Sequence, residues 1–301
     1  MLKTLKDGDI WLVAQPDHGL LAGYLAAHWG NARFQRPGGY AGVSDPERLR
    51  AETIFAVAQH DNGWWEWDAA PDLGDDGLPL GLAEVLKNQQ AGMDRWRCGL
   101  SRFPRSPYVN LLLSGHAHWL YAISALPDPD PAFTHPLFWK GSPGKLYPGS
   151  REAPLQFIAE LAELRAQWME TLRADPATAA WIDAESLQPH LRLLQVCDGL
   201  SLALCSAAIP ARSGEAKGLG EDEFEVRDVP RADWSDRVTL RATPLSGRRI
   251  ELDPYPFDLD PLPVAVPARV LERSAERPAH FQSWWHAAQP RTLEFQFVSR
   301  S

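Results

Sequence analysis

Cysteine is scarce in this chain and never paired in sequence. Cys98, Cys197 and Cys205 are its only three. None forms a C-x-x-C motif, and an odd count gives no disulfide framework. Reduced thiols in a reducing compartment are expected. Long apolar runs are missing too. No stretch approaches the roughly 18 apolar residues that mark a membrane span, and the opening MLKTLKDGDIWLVAQ has no signal core or small-residue cleavage site. The expectation is a cytoplasmic protein with no membrane partner. Basic charge is the minority sign, with 30 Lys+Arg against 39 Asp+Glu and a net charge of −9. No Lys/Arg run occurs, so binding to a nucleic-acid polymer is not expected. A local basic cluster for a small anionic ligand remains open. There is no G-x-S-x-G elbow, G-x-x-x-x-G-K-[ST] loop, G-x-G-x-x-G turn or H-E-x-x-H pair.

Tryptophan, in contrast, is plentiful: thirteen residues promise a core or cleft rich in indoles, each wanting a partner for its N–H. Residues 8–14 read as a short extended entry. Helical spacing follows over Gln15–His28, with Asp17 as a cap and Leu21, Leu25 and Trp29 on one stripe. Ser44-Asp45-Pro46 opens a second helix that runs to His60-Asp61, where Asn62-Gly63 breaks it. A Trp-rich loop comes next. Further helices are expected over Pro79–Trp96, Pro107–Leu126 and Glu152–Arg173. One or two more fall within Pro176–Ser206, with Pro189 as the break. Residues 127–149 read as a long loop. Beyond about 209, strand-like alternation appears at Arg237–Arg241, Arg249–Leu252, Val264–Leu271 and Thr292–Val298, while His280–Gln289 is ambiguous between strand and helix. The division expected is a helical domain over 1–208 and a small β-rich subdomain over 209–301 packed on it.

The residues that could carry chemistry lie on the helices. His60-Asp61 sits at the end of an apolar helix, His18 lies early in another, and His116 falls inside a strongly apolar one. Asp198 lies in LLQVCDGLSLALC, where an unpaired carboxylate costs several kcal/mol. It must meet a base such as Arg192, a set of donors, or a metal. His116 is either a satisfied core histidine or a ligand. Helices that each turn one polar residue inward can build a metal site, and imidazole plus carboxylate suits Mn, Fe, Zn, Co or Ni. Gln15, one turn before His18, could orient its ring, or simply lie at the surface. Glu66, Asp68 and the neighbouring tryptophans either line the mouth of such a site or form a packed loop. Arg102 and Arg105 are the nearest bases for an anionic substrate, unless they belong to a solvated loop.

The order His, His-Asp, His, Asp on successive helices resembles the HD superfamily of metal-dependent phosphohydrolases. The whole chain is also similar to an uncharacterised bacterial family grouped with it, through Gln15-x-x-His18, His60-Asp61-x-Gly63-Trp64, Ser114-x-His116 and Asp198-Gly199-Leu200-Ser201-Leu202. The resemblance implies a mainly α, HD-domain-like helical bundle. It implies one or two divalent transition-metal ions held by His18, His60, Asp61, Asp198 and His116, with His60 and Asp61 catalytic. By their positions near these ligands, Gln15, Trp64, Arg102 and Arg105 are the candidates to face the substrate. Hydrolysis of a small phosphoester or nucleotide follows as the leading expectation. The others are a di-iron oxygenase on the same scaffold and a metal-stabilised binding or regulatory protein without turnover. Two departures from the family pattern stand out. Trp64 occupies the position where many HD hydrolases carry Lys. His116 and His118 are about 200° apart around a helix, so only one can face a site. His116 is preferred because it shares a stripe with Leu120, and His135 is an outside candidate for a sixth ligand.

Overall fold

The computed structural model describes residues 1–40, 42–85, 88–126, 151–207, 217–272 and 280–300. The expected long loop over 127–149, with His135, lies outside these residues. Nine α-helices and seven strands occur among them. The chain opens with β1 (Leu2–Lys6) and β2 (Asp9–Val13). The helices α1 (Gln15–Ala27), α2 (Pro46–Ala58), α3 (Trp65–Ala69), α4 (Leu82–Val85), α5 (Gln89–Ser101), α6 (Pro107–Ala125), α7 (Glu152–Ala174) and α8 (Ala184–Cys205) follow. The last third supplies β3 (Phe224–Pro230), β4 (Arg237–Leu245), β5 (Arg249–Asp253), β6 (Leu262–Glu272), α9 (Phe281–Ala287) and β7 (Gln289–Ser299).

This overturns the expectation of a mainly α, HD-like bundle with a small β appendage. Helix accounts for about 49% and strand for about 23%, and one curled mixed sheet runs β1-β2-β6-β7-β5-β4-β3. All neighbours are antiparallel except β5 and β7. The N-terminal hairpin joins it through β2, with Ile10 opposite Leu271 and Leu12 opposite Arg269. Local patterning could show that residues 8–14 are extended, but not that their hydrogen-bond partners lie some 260 positions further on.

Helices and sheet share one core. Leu21 and Leu25 of α1, Leu194 and Leu200 of α8, Val264 of β6 and Phe297 of β7 belong to a single buried cluster. At its centre runs α8, buried from Leu191 to Cys205 and packed against α1, α2, α6 and β3. Pro189 does not break it. A proline this close to the start removes only the N–H that would serve the Glu185 carbonyl, and the helix continues through it. The edge strand β1 and the segment leading into β3 meet the far end of α8. Ala207 N–H donates to Thr4 Oγ1 at 3.0 Å and Gly220 N–H to the Ala203 carbonyl at 3.0 Å. A second cluster packs the Trp-rich loop on the sheet through Ile10, Leu12, Trp64, Trp67, Leu78 and Leu271. No helix among the described residues is long and apolar enough to cross a membrane.

Candidate metal centre

The close approach of α1 and α2 sets the site. Gly19 and Gly23 lie one turn apart on α1 and face Ala58, the last residue of α2. A Cβ on Gly19 would stand 2.9 Å from the Ala58 carbonyl oxygen, and one on Gly23 only 2.5 Å from the Ala58 Cβ. Without side chains there, the end of α2 sinks against α1 and delivers His60 and Asp61, two and three residues on, beside His18. The turn after them is packed as tightly. A Cβ on Gly63 would lie 2.0 Å from the Arg95 carbonyl oxygen on α5. The first N–H of α1 is capped from a distance, since Gln15 N–H donates to Asp68 Oδ2 at 2.5 Å. Asp17, expected as the cap, instead sits inside the first turn.

Five side chains from four segments converge. His18 Nε2 is 3.2 Å from Asp61 Oδ2, 3.2 Å from His60 Nε2 and 3.6 Å from Asp198 Oδ1. His60 Nε2 is 3.2 Å from Asp198 Oδ1 and 3.6 Å from Asp61 Oδ2. A tetrahedral ion with bonds of about 2.1 Å needs ligand separations of about 3.4 Å, and each of these five separations is close to that. His116 comes from the other side, its Nε2 3.7 Å from Asp198 Oδ2. The groups His18–His60–Asp61 and His60–His116–Asp198 could each hold a metal ion. They share His60, whose single Nε2 lone pair can serve one ion at a time. Asp198 can reach both positions, one with each oxygen.

The surroundings hold these ligands in place. His60 Nδ1 lies 2.7 Å from the Val57 carbonyl, which can only accept, so Nδ1 carries a proton. His18 Nδ1 lies 2.7 Å from Ser201 Oγ. His116 stacks on Trp119 at 5.9 Å and meets the edge of Trp96 at 5.5 Å and of His60 at 5.3 Å. His18 and His60 are fully buried and His116 and Asp198 nearly so, while the Asp61 side chain is 13% exposed. Burial pushes the His60 imidazole down, but the Asp61 and Asp198 carboxylates outweigh it and hold its pKa up to about 9. Burial raises the Asp61 carboxyl, and the His60 and His18 imidazoles more than reverse this, leaving it below its ordinary value. With no metal bound, the carboxylates therefore draw a proton onto His60.

The other sequence candidates lie around this centre in different roles. His118, two residues from His116, is partly exposed. Arg192 donates to Gln195 Oε1 at 3.0 Å, while Asp198 faces histidines from three segments. Ser201, not Gln15, holds the His18 ring; Gln15 is buried and engages Asp68 through its backbone. Trp64 packs edge-on against Trp67, with the Arg95 guanidinium 4.6 Å from each ring. Arg102 pairs with Glu66 and lies over Trp65 at 5.1 Å. Arg105 is exposed. Neither arginine has a hydrogen bond or ion pair to the cluster among the described residues. Ser201 and the Gly19/Gly23 pair were not singled out from sequence. The four-residue glycine spacing before Leu25 was the available signal for the second. A cleft of about 1050 Å³ between α1 and β6–β7, lined by Asp17, Leu20, Tyr24, Arg248 and Glu294 among others, includes none of the five cluster residues.

No curated protein and no solved structure matches the chain. The sequence profile of DUF3891, described as a protein of unknown function, matches residues 1–273, a span that takes in every residue of the cluster. The chain belongs to the DUF3891 family.

Proposed function

We propose that the cluster is a divalent-metal centre of the HD kind and that the protein hydrolyses a small phosphoester or nucleotide. The observation that carries the reading is that His18 Nε2, His60 Nε2 and Asp61 Oδ2 lie 3.2–3.6 Å from one another, with Asp198 Oδ1 3.2 Å and 3.6 Å from the two imidazole nitrogens. Two carboxylates at the centre of an apolar fold call for positive charge between them. Two imidazoles fixed from behind are the partners that Mn, Fe, Zn, Co or Ni prefers. A bound ion of this class acidifies a coordinated water and polarises a phosphoryl oxygen. Asp61 faces the solvent side. It spends Oδ2 on the two imidazoles and keeps Oδ1 to accept a hydrogen bond from the attacking water. Trp96 and Trp119, by packing around His116, keep the local dielectric low and strengthen the pull on the cation. The anionic substrate would approach past Asp61, the most exposed of the five ligands.

The test is metal analysis of the purified protein, followed by assay against phosphomonoesters, phosphodiesters and nucleotides with each of the five metals. Hydrolysis by the wild type, lost in Asp198→Asn together with the bound metal, is the expected result. The burial of four of the five ligands favours a second reading, an ion that stabilises the fold without turnover, since structural sites are closed. Bound metal whose removal lowers the melting temperature, with no substrate hydrolysed, would decide for that one.

A further inference from the structure

We infer that Ser201 is a positioning residue of this centre: its hydroxyl holds His18 in the tautomer whose Nε2 is free to ligate. This rests on the metal reading above. Ser201 lies on α8, three residues after Asp198. Its Oγ is 2.8 Å from the Asp198 main-chain carbonyl and 2.7 Å from His18 Nδ1. A carbonyl oxygen only accepts, so the one hydroxyl proton goes to it, and Oγ offers a lone pair to the ring. Nδ1 then carries the proton of the neutral imidazole, which leaves Nε2 with its lone pair pointing at His60, Asp61 and Asp198. Ser201 and His18 are both fully buried, so bulk water does not stand in for the hydroxyl.

The Val57 carbonyl does the same for His60 from within its own turn. Ser201 does more, because it bridges elements: it fixes a ligand on α1 by reference to the backbone of the ligand on α8. Without the hydroxyl, the proton on His18 has a better place on Nε2, where Asp61 Oδ2 waits at 3.2 Å. That arrangement satisfies the proton and blocks ligation.

The experiment uses the full chain and Mn²⁺ or Zn²⁺ as probe, with binding measured by calorimetry for wild type, Ser201→Ala and Ser201→Thr. Nitrogen-15 spectra of the metal-free proteins report the His18 tautomer. The expected result is a roughly 10–100-fold weaker dissociation constant in Ser201→Ala, recovery in Ser201→Thr, and a move of the His18 proton from Nδ1 to Nε2 in the alanine variant only. Ser201→Ala binding as tightly as wild type, with His18 still protonated on Nδ1, overturns the inference and leaves the metal reading intact. Wild type that binds neither ion overturns both. Should Ser201→Ala fail to fold, the wild-type spectrum decides, since a His18 proton on Nε2 in the metal-free protein contradicts the inference.

Discussion

His60 is pulled in two directions, and the balance has a measurable consequence. Burial disfavours its charged form, while Asp61 and Asp198 favour it more strongly, so its pKa stands at about 9 against an ordinary 6.5. A group whose pKa rises on folding stabilises the protein fully below its unfolded value and loses that contribution as pH climbs through the folded one. The metal-free protein should therefore weaken between about pH 6.5 and pH 9, by at most about 3 kcal/mol from this residue. Urea midpoints across this window should fall in wild type and stay nearly level in His60→Gln. A flat wild-type profile would show that the carboxylates do not charge His60. Since a ligating Nε2 must give up that proton, Mn²⁺ affinity should climb over the same window.

Among the elements, the contact between α1 and α2 governs the centre. Alanine in place of glycine inside a helix ordinarily stabilises by up to about 1 kcal/mol. At Gly23 the sign should reverse, because the new methyl would lie 2.5 Å from the Ala58 Cβ and 3.0 Å from its Cα, and overpacking costs about 1–3 kcal/mol. Gly23→Ala should lower the melting temperature and also loosen metal binding, since Ala58 stands two residues before His60. A variant as stable as wild type with unchanged Mn²⁺ affinity would mean that the helices can separate without disturbing the ligands. Helix positions were largely legible from periodicity and caps. Asp45 accepts from Arg48 N–H at 3.0 Å ahead of Pro46, as the Ser44-Asp45-Pro46 run leads one to expect. Pro189 misled because its helix starts only five residues earlier, where few backbone donors are at stake. The strand β3 went unread, as a bulge between Val226 and Val229, with Asp228 at φ 54°, interrupts its alternation.

At the scale of the whole molecule, the sheet ties the chain's first residues to its last. β2 covers an edge of β6, an eleven-residue strand whose neighbour on the other side is β7. Removing residues 1–13 would expose that edge, and a long unpaired strand is a template for aggregation. It would also strip Ile10 and Leu12 from beneath Trp64 and Trp67. The shortened chain should appear mainly in the insoluble fraction on expression. A soluble, monomeric product with unchanged far-ultraviolet dichroism would contradict this account of the hairpin.

Residue chemistry and local periodicity determined which side chains were worth watching. A carboxylate amid LLQVCDGLSLALC and a histidine inside an apolar helix have to be satisfied somewhere, and that cost is written into the sequence itself. Distance was not. That His18, His60, Asp61, His116 and Asp198 meet depends on glycines that admit Ala58 and on an α8 buried from Leu191 to Cys205 that places Asp198 among three imidazoles. Likewise, strand patterning could mark residues as extended but could not pair Ile10 with Leu271. Hydrogen bonds between strands and contacts between helices are chosen by what the whole chain can bury at once, so only the tertiary structure decided the sheet and the spacing of the centre.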